Sequence, residues 1–201
     1  MKFAEFRKLA DAVMRETLAD AGFRRTSAGK WNRRRGDELN VIHLQAHSVK
    51  SEFCVNLGVH YTFMPRWGSP GDDRIDASDC LLKLRLTSHG SLNDQWWPIV
   101  APSTNEVVDA LVGRGLLVFD SYRLGGPISG IDGRSIESGD ADLLTSVTDV
   151  RACLFIALMH EHLGNRDKSI EAADIRLKLA GMAIGPKKAL RDILKRLAHP
   201  G

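Results

Sequence analysis

Residues 39–62 read LNVIHLQAHSVKSEFCVNLGVHYT, and this stretch decides the fold. Over 52–62, Phe53, Val55, Leu57, Val59 and Tyr61 alternate with Cys54, Asn56, Gly58 and His60. Over 39–47, Ile42, Leu44 and Ala46 alternate with His43, Gln45 and His47. Alternation with one apolar face marks a half-buried strand. Ser48-Val49-Lys50-Ser51 lies between the runs and supplies a turn. A hairpin centred on Val49-Lys50 pairs residues whose numbers sum to 99, so Ile42 faces Leu57, Leu44 faces Val55 and Ala46 faces Phe53. On the other face His43 meets Asn56 and Gln45 meets Cys54. A slip of one residue would mix apolar with polar side chains on both faces, so the pattern specifies its own register.

Working outward, turn signals at Ser27-Ala28-Gly29 and Gly36-Asp37 bound short runs at 23–26 and 30–34, and Leu82, Leu84 and Leu86 alternate with Lys83, Arg85 and Thr87. These predict further strands of the same antiparallel sheet. Residues 2–21 predict an amphipathic helix with Phe3, Phe6, Ala10, Val13, Leu18 and Ala21 inward and Glu5, Lys8, Asp11, Arg15 and Glu16 outward. Gly22 suits its C-terminal cap, and Phe23 can pack back on the last turn. Residues 64–80 predict a long loop rich in Gly, Pro and Asp, of the kind often used for function. A second helix starts at Pro102-Ser103-Thr104 and carries Val108, Leu111, Val112 and Leu116, with Gly113 and Gly115 weakening its end. Residues 125–140 hold five glycines and predict a flexible connection. Helices are then expected at 149–163 and 167–180, with Gly185-Pro186 opening a third. The expected fold is α+β: an antiparallel β-meander with an N-terminal helix packed on one face and a C-terminal helical segment. The expected units are a sheet domain over 1–125 and a helical segment over 141–201, packed together as one compact body.

Composition excludes several classes. The chain has 201 residues, 28 Lys and Arg against 25 Asp and Glu, and 43% apolar types, which is ordinary globular usage. No run of about 18 apolar residues predicts a membrane span. The opening residues 1–8 mix charges every few positions, unlike a signal peptide. Cys54, Cys80 and Cys153 are odd in number and form no CxxC pair, which fits a reducing cytoplasm. Net charge is +6 over 1–35, −8 over 36–165 and +5 over 166–201. Such basic ends are either solvated faces or docking surfaces for acid.

No catalytic residue, metal or cofactor is assigned. His43 and His47 stand roughly 13 Å apart along a strand, too far to share an ion. His160-Glu161-His162 sets its histidines about 200° apart on a helix. Asp72, Asp73, Asp76 and Asp79 miss the EF-hand pattern. No GxSxG elbow, Walker motif or Rossmann glycine motif occurs. Cys54 could meet His43 as a thiol–imidazole pair, but a half-buried cysteine more often packs as a small apolar group.

One constellation stands out. His43, Gln45, Asn56, His60 and Arg85 fall on the polar sheet face, with Trp31 and Trp67 as neighbouring aromatics, and convergent polar groups beside aromatics are how ligand grooves are built. The favoured function is a non-enzymatic ligand- or protein-binding module, regulatory or immunity-type, whose partner is an unknown protein or small ligand. An enzyme using His43, Asn56, His60 and Arg85 ranks second. A nucleic-acid binder through Arg24, Arg25, Arg33 and Arg35 ranks third, because no RNP-like or helix-turn-helix signature accompanies these arginines.

Two stretches carry resemblances. The N-terminal helix with Gly22-Phe23, Trp31, Ile42-His43-Leu44-Gln45, Phe53-Cys54-Val55-Asn56-Leu57-Gly58-Val59 and Arg85-Leu86 resembles the bacterial domain-of-unknown-function 4304 family over roughly 3–125. The resemblance implies a cytoplasmic bacterial α+β domain and brings no catalytic residue with it. Residues 157–173 are similar to the helix–turn–helix of one tetratricopeptide repeat, with Gly164 at the turn and His160 and Ser169 where an aromatic and an alanine are usual. A single copy implies an antiparallel helical hairpin, since a solenoid needs about three.

Overall fold

The computed structural model describes residues 1–65, 75–87, 95–179 and 184–198. The chain divides into two units, 1–120 and 121–201. The first begins with helix α1 (Phe3–Asp20) and continues through strands β1 (Arg24–Ser27), β2 (Lys30–Arg35), β3 (Glu38–Ala46), β4 (Glu52–Tyr61), β5 (Leu82–Arg85) and the two-residue β6 (Trp97–Pro98). All pairings are antiparallel in the order β1-β2-β3-β4-β5, with β6 paired to the start of β4 beside β5. From Glu38↔Tyr61 to Ala46↔Phe53, every β3–β4 pair sums to 99, as the alternation requires.

Helix α1 lies on the face that carries Ile42, Leu44, Phe53 and Leu57. The Phe6 ring sits 4.4 Å from that of Phe53, which stacks in turn on Trp97 at 5.9 Å. The buried stripe is Phe6, Ala10, Asp11, Met14 and Leu18, which corrects two expectations. Met14 takes the inward place expected of Val13, which is 37% exposed. Asp11 is buried because its carboxylate accepts Arg25 Nε at 2.7 Å and the Gly29 N–H at 3.1 Å. The helix ends in a Schellman turn. Gly22 adopts φ +82, its N–H donates to Ala19 O, and the Phe23 N–H reaches Leu18 O.

The same unit contains α2 (Ser103–Ala110), a π-helical turn (Leu111–Gly115) and the start of α3 (Leu116–Ser121). Its buried stripe is Val107, Leu111, Gly115 and Phe119, one position off the expected Val108, Val112 and Leu116. Gly113 and Gly115 coincide with the widened turn rather than with a helix end. Phe119 reaches Phe23 at 5.5 Å. Between these two rings and the sheet lies Arg33, 4% exposed, whose guanidinium donates to Asn40 Oδ1 at 2.9 and 3.0 Å and to Ala21 O at 3.0 Å. It sits 4.5 Å from the Phe23 centroid and 5.4 Å from that of Phe119, and burial brings its pKa down to about 10.

The second unit contains α4 (Gly133–Ser138), α5 (Asp149–His162), α6 (Arg166–Leu179) and α7 (Ile184–Ala198). Residues 125–140 are not the expected flexible connection. A 3-10 turn at Pro127–Gly130 anchors itself through buried Ile128, Asp132 Oδ1 caps α4 by accepting the Ser135 N–H at 2.9 Å, and Gly139 closes α4 at φ +82. Helix α5 is buried almost all round, through Ala152, Cys153, Leu154, Phe155, Ile156, Ala157, Met159 and His160, whereas Leu163, expected in its stripe, is 38% exposed. Helix α6 folds back on α5, with Ser169 Oγ donating to Ala157 O at 2.7 Å. Helix α7 packs on both through buried Leu190 and Ile193, and its Arg196 pairs with Glu161 at 2.8 Å. Among the described residues no helix is long and apolar enough to cross a membrane.

The buried His160 ring ties α5 to the segment before α4, with Nε2 2.8 Å from Ile131 O and Nδ1 3.4 Å from Asn165 Nδ2. Burial lowers its pKa below 6.5 and outweighs the Ile131 carbonyl, which favours the charged ring. The unfolded chain therefore takes up this proton first as pH falls, so stability is intact above about pH 6.5 and declines on acidification below it. Thermal melts from about pH 7.5 to about pH 5 should show this slope, flattened in His160→Gln.

Gly58 provides a second check. A Cβ there would meet Cys80 Sγ at 2.6 Å and Ala77 Cα at 3.2 Å. Gly58→Ala should lower stability by about 1–3 kcal/mol in urea unfolding, and Cys80→Ala in the same chain should restore part of it.

Candidate functional site

The sheet face away from α1 is not uniformly polar. Leu39 and Val41 share it and form an apolar cluster with Ile75, Ala77 and Cys80 from the segment that returns over the sheet. That segment is pinned at several points. Asn32 Nδ2 donates to Ile75 O at 3.2 Å, Lys30 Nζ contacts both Asp76 oxygens at 2.6 and 2.7 Å, and Cys80 packs onto Gly58. A 3-10 turn at Ala77–Asp79 brings the segment down beside β4, with Asp79 Oδ2 accepting the Asp76 N–H at 3.2 Å. One half of the face is therefore covered. The other half forms a cleft of about 390 Å³ lined by His43, Gln45, Asn56, Ala77, Ser78 and Lys83.

Register places the cleft's floor. His43 stands opposite Asn56, and Gln45 opposite Cys54. Asn56 Nδ2 donates to Gln45 Oε1 at 2.7 Å, and Cys54 Sγ lies 3.9 Å from Asn56 Oδ1. Lys83 reaches the same face from β5, opposite Gly58. His43 has a pKa below 6.5, through burial first and then the charge of Lys30, with Arg7 adding to the shift and Asp76 opposing it. The ring is thus neutral at physiological pH, offering one donor and one acceptor. Ser78 Oγ lies 3.5 Å from Asp79 Oδ1, and Lys83 is exposed and forms no ion pair among the described residues.

Of the expected site residues, His43, Gln45 and Asn56 come together. His60 shares their face but lies under the covered half, 2% exposed and roughly 13 Å along the strand from Asn56. Arg85 stands opposite Asn56 at the rim, its guanidinium 4.9 Å from the Trp96 centroid. Trp96 also meets the His47 ring at 4.7 Å, and His47 Nδ1 accepts the Val49 and Lys50 N–H groups of the hairpin turn. Trp31 pairs with Ile42, so it is buried on the opposite face and does not reach the cleft. Trp67, Asp72, Asp73 and the middle of the 64–80 loop lie outside the described residues. The arginines do not form one basic surface. Arg33 is buried, Arg25 pairs with Asp11, Arg35 pairs with Asp120 at 3.0 Å, and Arg24 is exposed. Among the described residues no three His, Cys, Asp or Glu side chains group as metal ligands.

Ala77, Ser78 and Lys83 complete the cleft beyond the expected set. The alternation that sets Arg85 on this face sets Lys83 there too, so Lys83 was within reach of sequence reasoning. Ala77 and Ser78 sit in an aperiodic stretch that offers no such signal. Substitutions separate the two faces. His43→Ala with Asn56→Ala removes no buried apolar contact and should melt close to the parent chain, whereas Leu57→Ala should cost about 2–5 kcal/mol as a core truncation. A double variant as unstable as Leu57→Ala would mean that the cleft is part of the core.

Residues 14–113 match the model of the family described as Domain of unknown function (DUF4304), a span narrower than the resemblance over 3–125. No curated protein and no solved structure matches the chain. The matched span contains every described strand of the sheet and all six described residues that line the cleft. The N-terminal part of the chain, sheet and cleft together, belongs to this family of domains of unknown function.

Proposed function

We propose that the sheet domain is a non-enzymatic binding module whose cleft takes a metabolite-sized polar ligand. The observation that carries this is convergence: β3, β4, β5 and the 3-10 turn each send side chains to one cleft of about 390 Å³, within the range of small-molecule sites. The lining mixes an apolar wall at Ala77 with amide, imidazole, hydroxyl and ammonium groups. Binding is favoured over catalysis because, among the described residues, no hydrogen bond joins a cleft hydroxyl or thiol to an imidazole. The Ser78 hydroxyl faces Asp79, the Cys54 thiol faces the Asn56 amide oxygen, and His60 lies away from the cleft. Nucleic-acid binding is disfavoured by the burial of Arg33 and the ion pairs of Arg25 and Arg35. Three free, buried cysteines support a reducing compartment such as the cytoplasm.

Amide shift mapping on the full chain with a library of small polar molecules, charged and neutral, tests the proposal. Hits should perturb residues 43–45, 54–58 and 77–83 together, and Gln45→Trp, which fills the mouth from an exposed position, should abolish them without lowering the melting temperature. A library that perturbs other surfaces but never these residues would sink the proposal.

A further inference from the structure

We infer that the cleft recognises an organic oxyanion, a carboxylate or phosphate on a metabolite-sized molecule, with Lys83 as its charge partner. This rests on the binding role proposed above and concerns the ligand's charge. Of the six described lining residues one is a fixed cation and none is an acid. The nearby carboxylates among the described residues are already engaged. Asp76 has both oxygens within 2.7 Å of Lys30 Nζ, and Asp79 accepts the Asp76 N–H and faces Ser78 Oγ within its own turn. Lys83 forms no ion pair among the described residues. A lysine with no ion-pair partner among the described residues, on a cleft whose described lining holds no acid, sets a positive local potential.

The neutral groups favour the same ligand. The Gln45 carbonyl is taken by Asn56 Nδ2 at 2.7 Å, which leaves the two N–H donors of the Gln45 amide for a ligand. The Asn56 carbonyl oxygen faces the Cys54 thiol. The cleft therefore holds an excess of donors: the Gln45 amide, the Lys83 ammonium and one imidazole N–H of His43. A ligand rich in acceptors and carrying negative charge satisfies them, and a cationic ligand would find no acid among the described lining residues.

The full-length chain, isotope-labelled and held at constant ionic strength, is titrated with succinate, with inorganic phosphate and with succinamide, the neutral isostere of succinate. At least one anion should give saturable shifts at residues 43–45, 56–58, 77–78 and 83, and the tighter of the two identifies carboxylate or phosphate. Succinamide should bind at least about tenfold more weakly than succinate if the ligand is a carboxylate, and Lys83→Gln should weaken the preferred anion by about tenfold while Lys83→Arg retains it. Lys83 is exposed, so neither variant disturbs the core. A carboxylate site that takes succinamide as well as succinate, or a Lys83→Gln chain with undiminished anion affinity, overturns the anion assignment and leaves the cleft as a binding site. Anions that shift no cleft residue overturn it as well, and the library of neutral and charged molecules then decides the fate of the cleft itself.

Discussion

The pairing of Ile42 with Leu57 and of His43 with Asn56 is the constraint on which the first unit depends. Side chains on a strand alternate, so this one register sends Ile42, Leu44, Val55 and Leu57 toward α1, and His43, Gln45 and Asn56 together with Leu39 and Val41 to the other side. It also fixes what β4 can offer at each edge. Gly58 lies where the returning segment must approach closely, and Asn56 lies two residues away where that segment no longer covers the sheet. Core and cleft are two faces of the same strand pair. Neither can be moved by a residue without loss of the other.

A second organising element is polar and buried. Arg33 ties β2 to Asn40 of β3 and to the carbonyl at the end of α1, while the Phe23 and Phe119 rings flank its guanidinium. A charge withdrawn from water is tolerable where several acceptors and π faces replace the lost hydration. Asp11 does the same at the other end of the sheet, accepting from Arg25 and from the β1–β2 turn. Both residues specify where helix and sheet meet, because each demands partners from two elements at once.

How much of this was legible in the sequence follows from the length of each pattern. The β3–β4 hairpin was legible to the residue, because nine consecutive pairs all agree on one register. His43, Gln45 and Asn56 became neighbours by the same arithmetic, and Lys83 needed only the alternation of β5. Two-residue β6 is too short to have a period, and Ala77 and Ser78 belong to a turn whose position depends on Cys80 packing on Gly58. Asp11 looks like an outward charge until Arg25 and Gly29 are brought to it by a strand turn far along the chain. The apolar half of the polar face was missed because Leu39 and Val41 share one face of β3 with His43 and Gln45, so that face turns from apolar to polar partway along the strand. Those two residues needed a cover supplied from beyond position 74.

The π-helical turn at Leu111–Gly115 makes length, rather than residue type, the guarded property of this segment. Val107, Leu111, Gly115 and Phe119 recur at steps of four, and in a regular α-helix each such step overshoots a full turn by about 40°. Three steps would carry the stripe about 120° around the axis, and Phe119 would leave the face shared by Val107. The wider turn absorbs part of that drift. Losing one residue between 111 and 115 would swing Phe119 by about 100°, and the damage would surface far away in sequence, at the Arg33 guanidinium and the Phe23 ring. Exchanges of side chain on the outer wall, such as at Val112, which is 49% exposed, carry no such penalty.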